Sequence, residues 1–162
     1  MISEAADFFA STVKPTVDEF FHDPRDIRRG RLAALVLYHM AEHLALDGHT
    51  GRDKKEMDRK GEAIREKLKA QCPDFSLIGD IADATKHAKL FVRTKAPREV
   101  SSSQQITASP GPGLFQAPFG EALFAEALFV FAILDDGTTK PLEPAIRSVM
   151  TALEDLLATS PS

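Results

Sequence analysis

His39, Met40, Ala41, Glu42 and His43 place two imidazoles and a carboxylate close together in the chain. On a helix, residues four apart lie about 40° apart around the axis, so His39 and His43 share a face and can offer neutral ring nitrogens to one metal ion. Glu42 is then a candidate base toward a metal-bound water. A second cluster follows at Asp80, Asp83, Lys86 and His87. The i, i+3, i+7 spacing of Asp80, Asp83 and His87 confines them to a strip about 60° wide. If that strip faces the histidine pair, His39, His43, Asp80 and His87 make a mixed nitrogen and oxygen ligand set suited to zinc, manganese, iron or nickel. Asp83 and Lys86 join Glu42 as candidate acid–base groups. The expectation that organises this reading is one polar pocket shared by His39 and His87.

A plainer reading fits the same residues. His39 and His43 fall in the arc that also holds Leu32, Leu35, Val36 and Leu46, which predicts that both face the interior. There they need hydrogen-bond partners, because a buried polar group left without one costs about 1–3 kcal/mol. The strip of Asp80 and Asp83 reads equally as a solvated helix face, paired with Lys86, His87 or an arginine.

Other chemistries are excluded by what the sequence lacks. Cys72 is the only cysteine, so there is no intramolecular disulfide and no multi-cysteine zinc site, and its reading is a small buried hydrophobe. Gly111-Pro112-Gly113 lacks the lysine of a phosphate-binding loop, and no G-x-S-x-G elbow occurs. Ser101, Ser102 and Ser103 read as loop. Gly137 follows Asp135 and Asp136 without the spaced oxygen ligands of a calcium loop.

The elements that must position these residues are mainly helices. Apolar residues from Phe8 to Phe21 recur at near-helical spacing, with Pro15 kinking or dividing the segment. Asp23-Pro24 reads as an N-cap and first turn, opening a helix from Arg25 to Leu46 that Asp47-Gly48 ends. A charged helix from Asp53 to Ala70 packs by the narrow stripe of Met57, Ile64 and Leu68, with Gly61 a weak point. After the Cys72-Pro73-Asp74 break, a helix runs from Phe75 to Leu90. Ile106 and Thr107 are β-branched, and Leu128–Leu134, Asp135-Asp136-Gly137-Thr138 and Thr139–Leu142 read as strand, turn and strand. The near-repeat Glu121-Ala122-Leu123-Phe124 and Glu126-Ala127-Leu128-Phe129 also suits helix. A last helix begins at Pro144. The predicted fold is mainly α (α+β): a bundle of about five helices with a small antiparallel hairpin or sheet before the last. The expected organisation is a single domain, with the bundle over 1–92, loop and sheet over 93–142 and a terminal helix over 143–158.

Composition bounds the partners. The net charge of −4 and pI near 5.7 argue against nucleic acid. The longest apolar run, Ala127 to Leu134, falls far short of the roughly 20 residues of a membrane span. The first residues lack the basic start of a secretion signal, so the expected location is cytoplasmic. Eleven phenylalanines against one tyrosine and no tryptophan include Phe115, Phe119, Phe124, Phe129 and Phe131, close together in sequence. They fill a core or offer a surface for self-association or a protein partner. Two functions are therefore carried forward: a non-enzymatic bundle acting by association, and a metal-binding bundle or metal-dependent hydrolase.

The stretch Cys72-Pro73-Asp74-Phe75-Ser76-Leu77-Ile78-Gly79-Asp80-Ile81-Ala82-Asp83-Ala84-Thr85-Lys86-His87, preceded by Leu37-Tyr38-His39-Met40-Ala41-Glu42-His43, resembles a group of small uncharacterised bacterial and phage-borne helical proteins. The likeness covers roughly residues 15–92. It implies a helix with a Tyr-His pair, a Cys-Pro break and a helix ending in Lys-His, and it marks His39, Asp80, Lys86 and His87 for testing without assigning a reaction. His39-x-x-Glu42-His43 also has the form found in inverted zinc peptidases. Those enzymes are larger and take a third ligand from a separate helix. The short helices are distantly similar to HEPN-type ribonucleases, but the arginine that family places four to six residues before its histidine is absent. Ile81, Ala82 and Asp83 stand there before His87.

Overall fold

The computed structural model describes residues 3–87, 90–93, 96–110 and 128–159. The first helix meets Pro15 one turn after a change of winding. Helix α1 (Glu4–Phe8) passes into a π-helical turn at Phe9–Val13 and then into α2 (Lys14–His22). Proline has no N–H and its ring crowds the carbonyl four residues earlier, and the wider turn before it accommodates both defects. The helical run is thus continuous rather than cut.

The next helix starts two residues later than the Asp23-Pro24 reading. Asp23 accepts a backbone bond from the Asp26 N–H, closing a tight turn, and the Asp26 carboxylate caps α3 (Ile27–Leu46) by accepting from the Arg29 N–H. Helix α4 (Lys54–Gln71) is capped in the same way by Asp53. Helix α5 (Asp74–Lys86) ends four residues before the predicted Leu90, at His87, whose backbone is extended. Counting α1 to α2 as one continuous run, α6 (Leu142–Thr159) completes five.

The predicted sheet stands before α6. Strands β1 (Ile106–Pro110), β2 (Leu128–Ile133) and β3 (Thr139–Pro141) lie in chain order, both pairs antiparallel, with Ile106 opposite Ala132 and Phe131 opposite Pro141. Gly137 takes a φ of +84°, which the turn between β2 and β3 requires, and the Asp136 carboxylate accepts from the Thr138 N–H. Val130, Ala132 and Leu134 point inward in strict alternation, and the rings of Phe129 and Phe131 meet edge to face on the other side at 6.4 Å. Phe115, Phe119, Phe124 and the first unit of the 121–129 near-repeat lie outside the described residues.

Helices α3 and α5 form the centre, and their contact decides which way the histidines face. The buried side of α3 is Gly30, Ala33, Ala34, Leu37, Met40 and Ala41. This corrects the expected inward arc of Leu32, Leu35, Val36, His39 and His43: the inward face combines Leu37 and Met40 with small residues that allow close approach, and the Leu32–Leu35–Val36 side is only half-buried. Gly30 shows how close that approach is. A β-carbon there would stand 2.8 Å from Leu142 Cδ2 and 3.2 Å from Phe20 Cε2, both in the core. No described helix is long and apolar enough to cross a membrane.

Two of the buried helical glycines, Gly30 and Gly61, should respond oppositely to alanine. Gly30→Ala gains about 1 kcal/mol of helix propensity but overpacks a junction where about 1–3 kcal/mol is lost, so a net fall in stability is expected. At Gly61 the nearest atom is the Arg65 guanidinium at 3.3 Å, the end of a long chain that can swing aside. Gly61→Ala should therefore stabilise by about 0.5–1 kcal/mol. Urea unfolding of both variants checks the pair; changes of the same sign would refute this account of the α3 contact.

Candidate functional site

Asp80 sits on the helix with the least exposure to water. Around it Phe75, Leu77, Ile78, Gly79, Ile81, Ala82 and Ala84 of α5 are all buried. The Asp80 residue itself is only 4% exposed, and a carboxylate so placed must be paired. Its partners come from the segment that leads from α5 to the sheet. Arg98 Nη1 donates to Asp80 Oδ1 at 3.1 Å and to Asp83 Oδ2 at 3.0 Å, and the Glu99 N–H donates to Asp80 Oδ2 at 2.7 Å. Arg93 adds a bond to Asp83 at 3.0 Å and an ion-pair contact with Asp80 at 3.5 Å. The reading of Asp80 and Asp83 as an exposed face paired with an arginine is right in the partner and corrected in the burial: Asp80 is interior.

Arg98 also organises the outer surface. Its Nε donates to the Phe91 carbonyl at 3.3 Å, and its guanidinium lies 5.4 Å from the centre of the Phe91 ring. The segment is tied down from beneath while its apolar side chains face water, with Phe91 75% and Val92 88% exposed. Beside this ridge opens a cleft of about 930 Å³, walled by Tyr38, Phe75, Gly79 and Arg93 among others. The Tyr38 ring lies flush on Gly79, where a β-carbon would come within 2.9 Å of Tyr38 Cε2. Burial raises the Tyr38 phenol above its ordinary pKa. For Asp80, burial likewise raises the pKa, against the Glu99 N–H and the two guanidiniums, which lower it.

The remaining predicted residues are placed apart from this cluster. His39 is half-buried and its Nδ1 bonds the Leu35 carbonyl of its own helix at 2.9 Å. His43 is exposed and stacks on Phe8, ring centres 3.7 Å apart and planes 9° from parallel. Glu42, Lys86 and His87 are exposed, and the His87 N–H closes α5 on the Asp83 carbonyl at 2.9 Å. Among the described residues no three His, Cys, Asp or Glu side chains are grouped so as to hold a metal ion. His39, His43, Asp80 and His87 are accordingly not gathered into a ligand set, because Asp80 is turned to Arg98 and the histidines are engaged locally or face solvent.

Sequence reasoning passed over Arg93, Arg98, Tyr38 and the Phe91–Val92 ridge. A signal was available: from Ala84 to Arg98 the sequence has no acidic residue, and a basic stretch beside two interior-capable aspartates supplies its partners. No protein-family model, no curated protein and no solved structure matches the chain.

Removing one side of the buried pair leaves the other charge stranded. Asp80→Ala and Arg98→Ala should each destabilise by about 3–5 kcal/mol, and the double variant should lose less than the sum by about 0.5–3 kcal/mol. Chemical denaturation of the four proteins measures this coupling, and additivity would deny it.

The pH dependence has a definite sign. A carboxyl whose folded pKa is raised binds its proton more readily in the folded state, so its contribution to stability falls as pH rises above the ordinary aspartate value of 3.8. The stability of the wild type relative to Asp80→Asn should therefore be highest below the ordinary aspartate value and decline as pH rises past it. An advantage that grows with pH would show the arginines prevailing over burial.

Proposed function

We propose that this chain is a non-catalytic association module, acting in the cytoplasm, that binds another protein chain through the Phe91–Val92 ridge and the cleft beside it. The observation that carries the reading is two large apolar side chains held out into water by an anchored backbone. An unanchored segment could fold such residues back; here Arg98 bonds the Phe91 carbonyl and fixes them outward. Covering a phenylalanine and a valine is worth about 1.5–3 kcal/mol each, the scale of interface hot spots. A stable interface needs roughly 800 Å² per partner, so the cleft walls must take part. Of the candidate acid–base groups Asp83 is committed to arginines, and of the candidate metal ligands Asp80 is paired with Arg98 and His39 with a backbone carbonyl.

A photo-reactive phenylalanine analogue at position 92, introduced in the producing cell, tests this. A discrete cross-linked protein is expected from position 92 and not from position 55 on the exposed side of α4. A Phe91→Ser change in the same cross-linking chain should abolish that product. The reading fails if position 92 yields no product of its own or if the Phe91→Ser chain yields the same one.

A further inference from the structure

Among the described residues, every charge on the wall of the cleft beside the ridge is already answered by another. Glu62 pairs with Arg65 at 3.0 Å, Glu66 with Lys69 at 2.7 Å and Glu99 with Lys140 at 3.0 Å, while Asp80 and Asp83 share Arg93 and Arg98. Carboxylates and cations are equal in number across these contacts, and none is left over for a partner. A charged side chain entering the cleft loses water and finds no free opposite charge, a cost that an uncharged one avoids. The electrostatic complement of this cleft is therefore a neutral occupant.

What the cleft leaves unpaired is neutral too. The hydroxyls of Tyr38 and Ser76 belong to its walls, make no hydrogen bond among the described residues and are not sealed from water. Both can donate to a carbonyl. A helix keeps its interior carbonyls for its own N–H groups, whereas an extended backbone has them free. A β-strand needs another strand to pair with, and these walls come from α3, α4, α5 and irregular residues within 91–93 and 96–99. The polyproline II conformation meets both conditions, since its carbonyls are unpaired and it requires no neighbouring strand. Its preset backbone also reduces the entropy lost on binding, which matters where the exposed apolar display is two side chains. Aromatic rings for proline to pack on are present: Tyr38 is backed by Gly79 and by Phe75, ring centres 5.7 Å apart, and Phe91 stands out into water.

We infer that the ridge and cleft receive an uncharged, proline-bearing stretch of another protein in the polyproline II conformation, laid over Tyr38 and Phe91 with its carbonyls accepting from the Tyr38 and Ser76 hydroxyls. The inference rests on the association reading above and specifies the chemistry of the partner. Proline rings on the two aromatic side chains supply the attraction, and the hydroxyls fix the register of the backbone.

A phage-displayed library of random dodecapeptides, depleted on a Phe91→Ser, Val92→Ser chain and then enriched on the wild type, tests this. The enriched peptides should share prolines one polyproline turn apart, with no Lys, Arg, Asp or Glu between or beside them. The most enriched of them, synthesised as an acetylated amide, should bind the wild type equally well in about 0.05 M and about 0.5 M salt, because no charge is left to be screened. Tyr38→Phe keeps the ring and removes only the hydroxyl, and should bind that peptide about three- to tenfold more weakly. Enriched peptides with a charged centre, or with apolar residues at helical spacing and no proline, overturn the inference. So does a selection that enriches nothing, an affinity that falls steeply with salt, or a Tyr38→Phe chain that binds as tightly as the wild type. The association reading is judged separately by the position-92 cross-link, which a partner of other chemistry still produces; loss of both the cross-link and the enrichment rejects the two together.

Discussion

The buried contact between Asp80 and Arg98 is the polar link between α5 and the segment that leads to the sheet. Asp80 lies on α5, enclosed by apolar residues; Arg98 lies on an irregular segment whose Val100 is itself buried in the core. Neither charge is tolerable alone at that depth, so the pair forms together and carries Glu99 and Phe91 with it. Glu99 in turn accepts from the Asp135 N–H at the end of β2 and pairs with Lys140 of β3. The ion pair is thus linked both to the sheet, which its own buried residues also hold in place, and to the ridge. Burial raises the Asp80 pKa, so desolvation opposes the charge that the guanidiniums and the Glu99 N–H favour.

The fold was legible where local chemistry is self-sufficient. The Asp135-Asp136-Gly137-Thr138 turn needs only a residue that accepts positive φ and a carboxylate that bonds back, and both are read directly from the sequence. The Cys72-Pro73-Asp74 break and the last helix were equally plain. Helix α3 was harder because both of its faces are apolar. Leu32, Leu35 and Val36 outweigh Ala33, Ala34 and Gly30 in hydrophobicity, yet the interior face combines those small residues with Leu37 and Met40, so space as well as apolarity decides. That single choice of phase turned both histidines inward in the reading, whereas in the structure His39 is half-buried and His43 exposed.

The site was partly legible for a related reason. Asp80 and Asp83 were recognisable as a pair on one strip, but their partner lies 18 residues from Asp80, across a segment with no periodicity to place it. Long-range ion pairing leaves no spacing rule in one sequence. What it leaves is a local excess of charge, which identifies a stretch without saying which of its arginines turns inward.

The π turn at Phe9–Val13 bears on how the length of the first helix is set. Ala5 and Val13 are both buried although eight residues separate them, a spacing that in an unbroken α-helix puts them about 80° apart. One extra residue taken up by the wider turn makes the interval equivalent to seven, and the two positions fall within about 20°. The insertion is thus absorbed before it reaches Val17 and Phe20, which keep ordinary α spacing on the same inward side. A relative shorter by one residue between Phe9 and Val13 would present the same core from a regular helix, so the turn marks a place where this architecture can change length without changing its interior.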